Sequence, residues 1–316
     1  MEYLPDYFQE ILLENLKDGD LAKLSSESEY YGNIKFSKSK LNEMKSLFNF
    51  EEIWNMEKYN KLIKLSDVIG QVLINLNFNQ ITSFDIFSGQ TFPNLEVLNL
   101  DFNKISSFKG LSSYIFPNLK YLGLGINQIS SFEGLLPGIF PNLKELDLDH
   151  NEISSFDIFS GQTFPNLKKL YLNSNQIESF QGLSGEIFPN LEELWLRNNQ
   201  ISSVEGFSDK TFPKLEELYL ENNKIKSFEK LVNVFPNLKI LSLKSNQIFS
   251  LGGLSEKIFD KLEKLYLNYN LISSLEGLSE ETFPNILEIY IFNGILNEED
   301  INKIKAMYPG KIVDSS

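Results

Sequence analysis

The sequence has no cysteine and a single histidine in 316 residues. Zero cysteines exclude a disulfide framework, a thiolate zinc site and a thiol nucleophile. One histidine, His150, excludes a multi-histidine metal centre and leaves most His-based acid–base constellations without their main residue. Basic charge is scarce too: 29 Lys and Arg stand against 43 Asp and Glu, a net charge of −14. That balance opposes binding along a phosphate backbone. No apolar run reaches the ~18 residues of a transmembrane helix. The start, MEYLPDYFQEILLENL, has neither the basic n-region nor the apolar h-region of a secretory signal. No Asn-X-Ser/Thr acceptor occurs, although Asn, Ser and Thr abound. These absences predict an intracellular protein, cytoplasmic or nuclear and not secreted, with no metal, no cofactor and no partner among nucleic acids or membranes.

What is present is a folded composition, 42 % hydrophobic and 23 % charged, and a repeat. The segment LEVLNLDFNKISSF, Leu95 to Phe108, recurs as LKYLGLGINQISSF, LKELDLDHNEISSF and LKKLYLNSNQIESF, and on through LEKLYLNYNLISSL. Its asparagines are Asn79, Asn103, Asn127, Asn151, Asn175, Asn199, Asn223, Asn246 and Asn270, stepping by 24 residues except for one step of 23. A tenth, degenerate copy carries Ile286, Ile289 and Ile291, with Gly294 in the asparagine's place. LxL alternation predicts a short strand with one face buried. The asparagine falls where the chain turns out of that strand, and a ladder of stacked amides there would satisfy buried backbone groups. These asparagines are therefore architecture. Two spines of phenylalanine, Phe84 to Phe228 and Phe92 to Phe283, predict stacked core rings. Pro follows the second Phe in eight repeats and ends each return segment before the next strand.

The pattern LxxLxLxxNxI resembles the leucine-rich repeat. That resemblance implies a curved solenoid with a parallel concave sheet, an α/β repeat array over residues 71–296. Its Gly-Leu pairs, such as Gly182-Leu183, resemble those of phosphatase regulatory subunits. Residues 297–316 read as a closing cap: Asn297-Glu-Glu-Asp is an N-cap with an acidic first turn, Ile301, Ile304 and Tyr308 share one helical face, and Lys311-Ile-Val is a last short strand.

Residues 1–36 do not follow the repeat. Leu4-Pro5 opens a helix carrying Phe8, Leu12, Leu13 and Leu16, and Asp20 N-caps a second with Leu21 and Leu24. This small helical module resembles an F-box at Leu4, Pro5, Leu12, Leu13, Leu16, Asp20, Leu21, Leu24, Ser25 and Ser28, with Tyr31 in the Trp place. Glu27 departs from the family's core Val. The resemblance implies docking on a Skp-type adaptor through Leu4, Pro5, Phe8, Leu12, Leu13 and Leu16, and makes the chain a substrate receptor of a cullin–RING ubiquitin ligase. The other reading of the segment is a plain helical cap on a stand-alone scaffold or regulatory binder. Residues 37–70, with Leu41, Met44, Leu47, Phe48, Ile53, Trp54, Leu62, Ile63 and Leu65, read as a helical connector and N-terminal cap without a flexible linker.

Strand alternation sends the residues between the leucines to solvent. The central column runs Asn99, Gly123, Asp147, Tyr171, Trp195, Tyr219, Ser242, Tyr266 and Tyr290, and the next runs Asp101, Gly125, Asp149, Asn173, Arg197, Glu221 and Lys244. With strands about 4.8 Å apart, Tyr171, Trp195 and Tyr219 would form a continuous aromatic strip beside Arg197. Exposed Tyr, Trp and Arg are hot-spot residues for protein partners, so Tyr171, Trp195, Arg197, Tyr219 and Tyr266 are the candidate binding residues. Asp101, Asp147, Asp149 and His150 read as an acidic zone suited to a basic peptide or to simple solvation. No catalytic constellation appears, and the protein is expected not to be an enzyme.

Overall fold

The computed structural model describes residues 72–312, apart from 88–90, 112–114, 184, 207–210, 232–233, 255–257 and 293–294. The expected modules 1–36 and 37–70, with Leu4, Pro5, Phe8, Leu12, Leu13 and Leu16, lie outside the described residues. The chain divides into two compact units, 1–146 and 147–316.

In the first unit each repeat contributes one short strand. These are β1 (Val72–Asn75), β2 (Leu95–Asn99), β3 (Tyr121–Gly123) and, at the unit's end, β4 (Glu145–Asp147). β1 pairs with β2 and β2 with β3, all parallel and in chain order. Alternation decides what is buried: Leu98 and Leu122 lie fully inside, while Val97 and Asn99 on either side are only half-covered. The return segments fill the core behind the sheet with rings. Phe84 stacks on Phe108 at 5.4 Å and Phe92 on Phe116 at 5.5 Å.

The second unit repeats the plan with β5 (Lys169–Tyr171), β6 (Glu193–Trp195), β7 (Glu217–Tyr219), β8 (Ile240–Ser242), β9 (Lys264–Tyr266) and β10 (Glu288–Tyr290). One parallel register runs through Leu170, Leu194, Leu218, Leu241, Leu265 and Ile289. The two phenylalanine spines continue, with Phe156 on Phe180 at 5.8 Å and Phe164 on Phe188 at 5.6 Å. A third set of rings was not evident from the repeat. Phe-Asp-Ile-Phe replaces the Gly-Leu turn at Phe84–Phe87 and Phe156–Phe159, and both segments form 3-10 turns. Their second rings, Phe87 and Phe159, set their edges against the spine at Phe116 (5.1 Å) and Phe188 (5.0 Å).

The asparagine ladder forms as expected, its amides satisfying buried backbone groups, and in at least seven of the nine the bonds tie one turn to the one before. Asn199 Oδ1 accepts from the Ile177 N–H at 3.0 Å, and its Nδ2 donates to the carbonyls of Leu172 (2.9 Å) and Leu196 (3.1 Å). Asn103, Asn127, Asn175, Asn223, Asn246 and Asn270 make the same set. The reason is the turn itself. The residue before each asparagine is left-handed, from Phe78 (φ 60°) to Tyr269 (φ 56°), and around this corner the carbonyl of the Leu after the strand and the N–H of the Ile two past the asparagine meet the next turn's amide. An amide, with one acceptor and two donors, serves all of them.

A second ladder lies on the other side of the repeat, at the Asn of Phe-Pro-Asn-Leu. Asn118, Asn142, Asn190 and Asn237 donate Nδ2 to the preceding turn's proline carbonyl, at Pro93, Pro117, Pro165 and Pro213, over 2.6–2.9 Å. Asn285 does the same to Asp260, which stands where the proline is missing.

The second unit closes as expected. Helix α1 (Glu298–Met307) is capped by Asn297, whose side chain accepts from the Asp300 N–H. Ile304 and Tyr308 are buried, Ile301 is half-buried, and the Tyr308 hydroxyl donates to the Ser279 carbonyl. The expected last strand is a single parallel bridge of Ile312 to Ile289.

Candidate functional site

The second unit's exposed sheet face carries the site. β5, β6 and β7 each end in an aromatic residue that alternation turns to solvent. Tyr171 packs on Trp195 with centroids 5.7 Å apart, and Trp195 stacks flat on Tyr219 at 4.0 Å and 27°. The expected strip therefore forms from these three. Tyr266 does not join it: Ser242 of β8 intervenes, and Tyr266 instead stacks on Tyr290 at 4.6 Å.

Arg197, two residues beyond Trp195, folds back over the strip. Its guanidinium carbon lies 4.5 Å from the Trp195 ring centroid and 4.9 Å from that of Tyr219. Its Nε also lies 3.0 Å from Glu221 Oε2, an ion pair between neighbouring turns. These contacts fix the guanidinium beside the stacked rings and against Glu221, so the arginine is held in place.

The column on the near side of the strip was not singled out from the sequence. Glu193 and Glu217, two residues before Trp195 and Tyr219, share the exposed face. Trp195 Nε1 donates to Glu193 Oε2 at 3.4 Å, and the Tyr219 hydroxyl donates to Glu217 Oε2 at 2.7 Å. Lys169 pairs with Glu193 at 2.9 Å. Burial, together with the hydrogen bond to Glu217, raises the Tyr219 phenol far above its ordinary range, so it stays a donor. The signal in the sequence was the doublet in LEELWL and LEELYL, whose second Glu takes the same strand position in both repeats.

The acidic zone is resolved differently from expectation. Asp149 does not present a free carboxylate. It accepts the Asn173 N–H at 2.6 Å and Asn173 Nδ2 at 2.9 Å, and Asn173 Oδ1 in turn accepts the Arg197 N–H at 2.8 Å. Asp147 Oδ1 accepts the Asp149 N–H at 2.9 Å. The column after the strand thus caps backbone donors from turn to turn, a use that follows from the peptide planes leaving the sheet there. Burial raises the Asp149 carboxyl, and these hydrogen bonds, His150 and Arg197 pull it back. His150 is exposed at a left-handed corner. In the first unit, Asp101 does the same work, accepting the Gly125 N–H at 2.7 Å.

No helix among the described residues is long and apolar enough to cross a membrane. The arrangement offers an amphipathic aromatic surface with an arginine, two carboxylates and fixed donors. Such a surface has the residue types of a protein-binding patch.

Among solved structures, the chain is similar to the TLR13–ssRNA13 complex, with 27 % identity and a TM-score of 0.55 over 75 % of this chain. It spans about a third, 34 %, of the TLR13 chain. It is also similar to the LRIM1/APL1C complex, with 18 % identity, a TM-score of 0.51, and coverage of 83 % of this chain and 52 % of that one. A third likeness is internalin C2 from Listeria monocytogenes, with 20 % identity, a TM-score of 0.47, and coverage of 79 % of this chain and 91 % of that one. No curated protein matches the sequence. The family model "Leucine Rich repeats (2 copies)" matches residues 73–113, 93–137, 117–161, 141–185, 189–233 and 213–256, more than half of the chain. The chain belongs to the leucine-rich repeat family, whose fold is typically a non-enzymatic scaffold for binding protein partners.

Proposed function

We propose that this chain is a protein-binding adaptor inside the cell: a substrate receptor of an SCF-type cullin–RING ubiquitin ligase. The substrate lies on the exposed sheet face, and the N-terminal segment docks a Skp-type adaptor through Leu4, Pro5, Phe8, Leu12, Leu13 and Leu16. The observation that carries the binding role is the cluster of Trp195, Tyr219 and Arg197. It places three hot-spot side chains in mutual contact on a solvent face. The F-box resemblance of residues 4–31 supports the ligase role, and the domain order, a helical module followed by repeats, agrees with it.

TLR13 was solved with single-stranded RNA. The present chain carries Glu193 and Glu217 beside the aromatic strip and a net charge of −14. A polyanion would meet repulsion there. A protein partner fits the surface better.

The test is a titration of the full chain against a purified Skp-type adaptor, beside a Leu4→Ala, Pro5→Ala, Leu12→Ala variant. Saturable binding, lost in the folded variant and retained in Trp195→Ala/Tyr219→Ala, supports the reading. Absence of binding, under conditions where a known F-box protein binds, leaves a leucine-rich repeat scaffold without the ligase role.

A further inference from the structure

The corner residue before each asparagine is left-handed in every repeat, with φ between 53° and 60°. That conformation suits Asn, Ser and His better than bulky apolar side chains, and it is hardest on a β-branched residue. In the second unit the corner is occupied accordingly by His150, Ser174, Asn198, Asn222 and Ser245 before Tyr269. The first unit breaks the rule three times running, with Phe78, Phe102 and Ile126. All three are exposed, at 67 %, 41 % and 40 %. They form one row on successive turns: the Phe78 N–H donates to Asp101 O and the Phe102 N–H to Gly125 O. The Phe78 and Phe102 rings stack at 4.1 Å and 20°. Backbone cost and solvent-exposed apolar surface coincide at three consecutive positions, whereas polar residues hold five of the other six corners and Tyr269 the last. Strain retained together with an exposed apolar row marks a contact surface.

We propose that this row is the seat of the chain's own segment 37–70. That segment carries Leu41, Met44, Leu47, Phe48, Ile53, Trp54, Leu62, Ile63 and Leu65, an apolar surplus outside the described residues that requires cover. It leads into β1 at Val72, six residues before Phe78, so reach is short. The row spans three turns, about 10 Å, well within the length of 34 residues. The first unit, residues 1–146, contains both the segment and the row. The apolar corners stop at Ile126, before that unit ends, and His150 begins the polar run. This contact lies along the side of the first turns, and is separate from any cover over the open end of the core and from the adaptor reading of residues 1–36.

The sequence supplies its own reporter, because Trp54 and Trp195 are the only tryptophans. In a Trp195→Phe chain, Trp54 emission reports the segment alone. Phe78→Ser/Phe102→Ser is expected to shift that emission to the red and to speed amide exchange of residues 37–70 about tenfold or more, with the array's far-UV circular dichroism unchanged. Phe78→Leu/Phe102→Leu, which keeps the surface apolar, is expected to retain most of the protection. Unchanged emission and exchange in a folded serine variant would overturn the proposal, as would fast exchange of residues 37–70 already in the parent. A parent that sediments as a dimer and dissociates on the serine substitutions would also overturn it, in favour of a second copy on the row.

Discussion

Trp195 lies flat against Tyr219, ring centroids 4.0 Å apart, and the Arg197 guanidinium lies alongside both rings, 4.5 Å and 4.9 Å from their centroids. The stack crosses from β6 to β7, so it stiffens the sheet as well as shaping its surface. A double-mutant cycle with Trp195→Leu and Tyr219→Leu in urea denaturation is expected to give a coupling of about 0.5–1.5 kcal/mol. A coupling near zero would mean the rings are independent surface groups.

The two asparagine ladders should differ sharply in worth. Asn199 is buried and serves the Ile177 N–H and the carbonyls of Leu172 and Leu196. Asn199→Ala strands those groups away from water and should cost about 3 kcal/mol or more. Asn190 is more exposed and makes its bond to the Pro165 carbonyl where water can replace it, so Asn190→Ala should cost less than about 1 kcal/mol. Equal losses on denaturation would refute the distinction.

Gly134 has φ +91°, and a Cβ there would sit 2.6 Å from the Lys109 nitrogen and 2.7 Å from the Phe108 carbonyl carbon, both backbone of the preceding turn. Gly138, four residues on, has φ +73° with nothing within 4 Å of a Cβ. Gly134→Ala is expected to destabilise by more than about 2 kcal/mol and Gly138→Ala by about 1 kcal/mol, the backbone cost alone. Thermal melts of the two variants side by side separate steric from conformational cost.

Burial raises the Asp149 carboxyl above its ordinary 3.8. The folded chain therefore holds that proton more tightly than the unfolded chain. Its contribution to stability falls as pH rises through the raised value and recovers as pH falls through it. Because Arg197 pulls the carboxyl back down, Arg197→Met should raise it further. Carboxyl-carbon NMR titration of the two proteins reads this directly, and a shift downward in the variant would contradict the arrangement.

At the other end of the pH scale, burial pushes the Tyr308 phenol up from 10.0 to about 12. Its stabilising contribution is complete below the ordinary tyrosine value and is lost as pH climbs from 10.0 towards about 12. Tyr308→Phe should therefore show a shallower loss of stability over that alkaline window than the parent. Denaturant midpoints across the window test this, and parallel curves would show that the hydroxyl titrates freely.

The repeat, its register and its burial were legible in the sequence because alternation of Leu with polar residues can be satisfied in only one way by a strand with one covered face. The central aromatic column followed from the same alternation, and the cap at Asn297 from an N-cap residue followed by an acidic first turn. The backbone-satisfying role of the asparagines was legible too, because each falls where the chain turns out of a buried strand. Two things depended on the folded chain. Asp149, which reads as a surface acid, was drawn into capping Asn173 because neighbouring turns bring residues 24 apart within hydrogen-bond reach. Arg197 looks free in the sequence, and only its placement between two rings and Glu221 turns it into a fixed part of the surface. Sequence periodicity determined which residues share a column; the tertiary structure decided which of them spend their polar groups on the neighbouring turn, because that choice depends on distances between turns rather than along the chain.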